Sequence, residues 1–124
     1  MGEVRISLET YKGRWRTKRR VVLRVEHPKH GAVTIDIHRR FVTDLDTIPR
    51  VPLIYDWLKD RAVASYVVHD WCYMKGLDRR VADDLLLMML EIEGVAKRYR
   101  YPIYFGVRLF GQTRYKKRAG VIRV

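Results

Sequence analysis

Four ionisable residues stand where a chain can least accommodate them. His69 and Asp70 are adjacent in the apolar stretch VVHDWCYM (67–74), and Asp83 and Asp84 follow in VADDLLLMML (81–90). Unpaired buried charge is costly, so an imidazole and three carboxylates in such surroundings must pair with one another or bind something. An imidazole hydrogen-bonded to a carboxylate has a fixed tautomer, a fixed ring orientation and a raised basicity, as a general base requires. The spacing favours that pairing. His69 lies seven residues before Gly76 and Asp83 seven after it, so antiparallel helices joined at that turn bring the two level. Tyr66 and Tyr73, at −3 and +4 from His69, share its helical face and can brace the pair. The catalytic reading is therefore His69 as base, Asp83 as its orienting partner and Tyr73 as support. Asp70, about 100° further round the helix, is placed for a metal ion or water. The alternative reading is a buried polar clamp between two helices. Asp84 points away from Asp83 and is expected in solvent.

A second constellation is FVTDLDTIPR (41–50). Asp44 and Asp46 alternate in a segment stiffened by Pro49, and with the hydroxyls of Thr43 and Thr47 they can complete a site for a hard divalent cation such as calcium. Asp44 and Thr47 can equally serve as turn or helix-cap residues. Cys72, three residues after His69, would have to be a thiol nucleophile to matter chemically; among Trp71, Tyr73 and Met74 it reads as a small hydrophobe. His27, His30 and His38 form no metal-ligand pattern and are expected at the surface.

Those residues need elements to hold them. VRISL (4–8) and VVLRV (21–25) alternate apolar and polar, as does AVTIDIH (32–38), so residues 21–38 form a hairpin turning at HPKHG. A short helix is expected near Ile54–Lys59. A buried helix follows over 61–75, ended by Gly76; Asp78 caps a second helix running to about Glu93, with Gly94 as its stop. Tyr104–Phe110 and Tyr115–Val124 read as late strands. The expected architecture is a single α+β domain over residues 1–124: basic strands in 1–40, the acidic-motif loop and helical hairpin in 41–95, and basic strands in 96–124. The helical hairpin packs on one face of an antiparallel sheet.

The 124 residues suit one core, and 48% hydrophobic residues argue against disorder. No apolar run is long enough to span a bilayer, and residues 1–15 have no apolar signal core. The single cysteine excludes an internal disulfide. The net charge of +12 is unevenly spread: +6 over residues 1–30, −3 over 31–96 and +9 over 97–124. Basic ends of this kind suit nucleic acid, an anionic membrane surface or an acidic protein neighbour. In the last segment Arg98, Arg100, Arg114, Lys116, Lys117 and Arg118 are the candidate contacts, interleaved with tyrosines that can stack on bases or pack on a neighbour.

In order and spacing, FVTDLDTIPR, VVHDWCY, RRVADDLLLMMLEIEGV and YFGVRLFG resemble the phage and prophage family known as domain of unknown function 1353. Its members look like TD-x-x-S-[IV]-P-R, HD-x-x-Y, R-x-x-A-D and V-R-x-x-G, and the resemblance covers about residues 33–111. Here Asp46 replaces a small residue and Thr47 replaces Ser. The resemblance implies a phage or prophage origin and carries no settled activity. HDWCY with a downstream acid is also similar to the HD-x-C-Y arrangement of phospholipase A-two enzymes. That likeness implies His69 as base for water attacking an ester, Asp70 as calcium ligand, Asp83 orienting His69, and Tyr73 supporting the network. The Gly-rich calcium loop of those enzymes has no counterpart, so Asp44 or Asp46 would supply the missing ligands.

Two functional expectations follow. One is a virion-associated structural or accessory protein of the phage tail or head–tail region, in the virion or in host cytoplasm during assembly, contacting other phage structural proteins and possessing a buried His-Asp cluster. The other is a metal-assisted phage hydrolase acting on lipid or cell wall through His69. A nucleic-acid-binding accessory protein is a weaker third.

Overall fold

The computed structural model describes residues 6–43 and 54–122, with side chains described in 6–43 and 62–109. Along the chain run β1 (Leu8–Tyr11), β2 (Arg14–Thr17), β3 (Val21–His27), β4 (Gly31–Ile37), β5 (Val42–Thr43), α1 (Ile54–Met74), α2 (Arg79–Ile92) and α3 (Lys97–Ile122). The class is α+β, as expected. The strands form two small antiparallel sheets rather than one: β1-β2-β5, and the hairpin β3-β4.

The β3–β4 hairpin pairs Val21 with Ile37 and His27 with Gly31. That register puts Val25, Ile35 and Ile37 inward and leaves Arg24, Thr34 and Asp36 outside, the alternation of a sheet with one buried face. The N-terminal strand starts later than the pattern VRISL suggests, at Leu8, and pairs with β2, which the alternation did not reveal. Its signal was Lys12-Gly13, both at positive φ (49° and 78°), as a tight hairpin turn requires. Thr17 then ties the sheets: its hydroxyl donates to the His38 carbonyl (3.1 Å) and accepts from the Phe41 amide (2.9 Å).

Helix α1 breaks at Ala62 (φ −129°, ψ 27°), which separates the short helix and the buried helix expected from sequence. Residues 64–73 are all buried, so this segment forms the centre of the core. The break leaves early amides of the second segment without helical acceptors. Glu93, from the end of α2, accepts from the Ser65 amide (2.7 Å) and hydroxyl (2.5 Å). The α1–α2 turn follows the expected signals. Gly76 adopts φ +75°, and Leu77 N–H reaches back to the Cys72 carbonyl at 3.0 Å, the long bond of a Schellman turn. Asp78 caps α2 by accepting from the amides of Arg80 (2.9 Å) and Val81 (3.3 Å).

The C-terminal expectation is overturned. Residues 104–110 and 115–122, expected in two strands, lie in one helix, α3, which packs against α1 and α2. Tyr, Phe and Val raise strand propensity, but Ile103 and Val107, one turn apart and each 8% exposed, anchor a helical face in the core. Pro102 lies near the start of the helix, where it removes a single backbone bond.

Candidate functional site

Asp83 is the point at which the three helices meet. His69 Nε2 lies 2.7 Å from its Oδ1, and the Tyr73 hydroxyl donates to the same oxygen at 2.5 Å. Both donors come from α1, four residues apart on one face. From α3, Arg108 Nη1 donates to Oδ2 at 2.8 Å. Arg79, one turn before Asp83 on α2, brings its Nε to 3.9 Å from Oδ2 and donates through Nη2 to the carbonyls of Val107 (2.8 Å) and Arg108. The imidazole lies against the Tyr73 ring, with centroids 4.3 Å apart.

The side chains of His69 and Asp83 are both 0% exposed. Burial by itself would raise the Asp83 carboxyl. The hydrogen bonds from His69, Tyr73 and Arg108 and the charge attraction of His69 outweigh it and hold the group below the ordinary carboxylate range. An ionised Asp83 accepts only, so the imidazole presents Nε2–H to it. The Tyr73 phenol is pushed the other way, first by burial and then by its bond to that anion. Such a network is strong because its members are shielded from water. Within it the imidazole has no solvent-exposed surface.

Asp84 corrects the expectation of exposure. It is 6% exposed, and faces away from Asp83 into a second cluster. His30 Nε2, from the β3–β4 turn, meets its Oδ2 at 2.8 Å, and the Tyr104 hydroxyl of α3 donates to Oδ1 at 2.7 Å. Burial opposes ionisation here too, but these two bonds and the neighbouring His30 and Lys29 charges hold Asp84 below the usual range, while the Tyr104 phenol is pushed up to about 12. A cleft of about 450 Å³ opens beside this cluster, bounded by His27, Lys29, Glu91, Tyr101 and Tyr104. Adjacent carboxylates on α2 thus tie that helix to α1 and α3 on one side and to the β-hairpin and α3 on the other.

The structure brings together His69, Tyr73 and Asp83 as expected. Asp70 is equally sealed at 1% exposed, and has an interaction of its own. Among the described residues, no group of three His, Cys, Asp or Glu side chains is placed to hold a metal ion. The proposed ligands Asp44 and Asp46 lie outside the described residues. Tyr66 is buried without reaching the pair, near Glu93, and its phenol is pushed up mainly by burial. Cys72 is 3% exposed and belongs to the core, and burial pushes its thiol up to about 12, away from the thiolate a nucleophile needs. His30 is not a free surface residue, whereas His38 is exposed as expected, its ring edge-on to Trp71 at 5.2 Å.

Of the basic candidates, Arg98 is exposed. Arg100 is 9% exposed, and its guanidinium turns inward to the Val95 carbonyl (3.1 Å) and towards Glu91 (3.8 Å), so it is part of the fold. Arg114, Lys116, Lys117 and Arg118 lie on α3, with side chains outside those described. Sequence reasoning missed Arg79, Arg108, His30 and Tyr104. The first two had a signal: Arg79 and Asp83 are the ends of R-x-x-A-D, and Arg108 is the basic residue of V-R-x-x-G. Three separated motifs therefore converge on one carboxylate.

Fold and site together define a small α+β protein whose helices are joined through a sealed imidazole–carboxylate–guanidinium network. A family model described as protein of unknown function (DUF1353) matches residues 20–107, and the chain belongs to that family. No curated protein and no solved structure matches it.

Proposed function

We propose that this chain is a bacteriophage virion-associated structural or accessory protein, of the tail or the head–tail region, in which the His-Asp cluster is a clamp rather than a catalytic centre. The observation that carries this reading is the complete enclosure of His69 and Asp83, both 0% exposed, with three donors on the two oxygens of Asp83. A general base has to reach the proton it removes, and this one is walled in. The phage origin rests on the family resemblance of the four motifs. The basic balance of residues 97–124 suits acidic neighbours in an assembly, or packaged DNA.

The test is compositional and mechanical. Mass spectrometry of purified particles should find the protein at a fixed copy number, and His69→Ala should lower the melting temperature. Absence from particles would overturn the virion role. Ester or cell-wall hydrolysis that requires divalent cation, and is abolished by His69→Ala in a folded protein, would replace the clamp with the hydrolase reading.

A further inference from the structure

Over residues 101–109, helix α3 is apolar on two opposite sides. Ile103 and Val107, 8% exposed, face the core. Tyr101, Phe105 and Leu109 recur every four residues and are 39%, 56% and 73% exposed. At 100° per residue, Tyr101 to Ile103 is a half-turn, so the second stripe lies directly away from the first. The rings of Tyr101 and Phe105 are 6.3 Å apart, and Phe105 also meets Tyr104 at 5.6 Å; with Leu109 one turn further on, the row runs about 12 Å along the helix. A solvent-facing helix side normally carries polar residues; a row of three large apolar ones is an unmet contact surface.

The charge of the helix says what meets it. Over residues 97–122 there are eight Lys/Arg and no Asp or Glu. Arg100 and Arg108 are engaged within the fold. Lys97 and Arg98 are exposed at the start of the helix, where the apolar stripe begins. Aromatic and leucine side chains on one face, with Lys and Arg and no acids, are the composition of a helix that lies in the interface of an anionic bilayer. Nucleic acid would use the arginines and stack on the aromatics, but it has no use for Leu109, the most exposed of the three. Among the described residues no helix is long and apolar enough to cross a membrane, so the contact is along the surface.

We propose that the Tyr101–Phe105–Leu109 face of α3 docks on anionic phospholipid headgroups, with the stripe entering the headgroup–acyl boundary and the basic residues meeting phosphate. This inference is independent of the virion assignment, and its failure would leave that assignment untouched.

The experiment is flotation of the full chain with vesicles of phosphatidylglycerol and phosphatidylcholine, against vesicles of phosphatidylcholine alone, at low and high salt. A protein of charge +12 will be drawn to any anionic vesicle at low salt, so the apolar contribution is read as binding that survives screening. The wild type should float with the anionic vesicles and keep part of that binding at high salt. Phe105→Ser and Leu109→Ser should each weaken binding about tenfold, since each removes a large side chain from the boundary. Val22→Ser, at an apolar residue 57% exposed on β3, should change nothing. Far-UV circular dichroism should show all variants folded, because the altered side chains are exposed. Equal flotation of wild type and α3 variants, or loss of all wild-type binding at high salt, would overturn the proposal. So would tighter binding to DNA than to vesicles with loss in the same two variants, which would assign the face to nucleic acid.

Discussion

Replacing Asp83 by Asn keeps the shape of the side chain and removes its charge, which isolates what the clamp contributes. Three donors address the carboxylate, at 2.7, 2.5 and 2.8 Å. Asn has one acceptor oxygen and one NH₂. If the oxygen stays beneath His69 and Tyr73, the NH₂ confronts the Arg108 guanidinium; if the amide flips, the two sealed donors lose their acceptor. Neither orientation satisfies the site. Arg108, 23% exposed, can turn partly to water, which relieves some of the conflict. His69 and Tyr73, enclosed in the core, cannot turn to water in the same way. A hydrogen bond to a charged group contributes about 1.5–3 kcal/mol, and breaking a buried ion pair costs about 3–5 kcal/mol. With the relief at Arg108, the expected loss is about 3 kcal/mol, or a fall of about 12 °C in melting temperature for a domain of this size. Urea denaturation followed by circular dichroism should show a lower midpoint at unchanged slope. Tyr73→Phe alone should cost about 1–2 kcal/mol, and less when combined with Asp83→Asn, because its partner is then no longer an anion. A loss below about 1 kcal/mol, or strict additivity of the two substitutions, would refute the clamp as an energetic unit.

Two further outcomes follow from the same chemistry. Asp83 and Asp84 are both held below the ordinary value of 3.8, so each favours the folded state above that pH, and its contribution is lost as pH falls below 3.8 through the lower native value. Thermal melts from pH 6 downward should therefore steepen below about pH 4, and Asp84→Asn should flatten that slope; an unchanged slope would contradict the pairing with His30 and Tyr104. Cys72, buried with its thiol pushed up to about 12, should resist iodoacetamide in the native protein at mildly alkaline pH and react once urea unfolds the chain. Rapid native alkylation would show that the α1 core opens.

The convergence on Asp83 also bears on why the motifs occur where they do. HD-x-x-Y places two donors four residues apart on α1, and R-x-x-A-D places a cation one turn before the carboxylate on α2. Each motif is a local helical spacing; the first was read as such, and Arg79 was legible only as a motif residue. V-R-x-x-G belongs to a helix that its aromatics disguised, so Arg108 was legible as a motif residue and illegible as a neighbour of Asp83.

By itself, the sequence determined what depends on nearby residues. Alternation set the β3–β4 hairpin, Gly76 and Asp78 set the α1–α2 turn, and equal spacing about Gly76 set His69 opposite Asp83. Turn chemistry, capping and helical periodicity act over a few residues, and can be read there. Tertiary structure decided the rest. It made residues 97–122 a helix, because Ile103 and Val107 gain more from the core than Tyr and Phe gain from strand geometry. It buried Asp84, because His30, 54 residues away, comes to meet it. It also enclosed His69 and Asp83, both 0% exposed: enclosure depends on three helices closing at once, and no spacing along the chain encodes that.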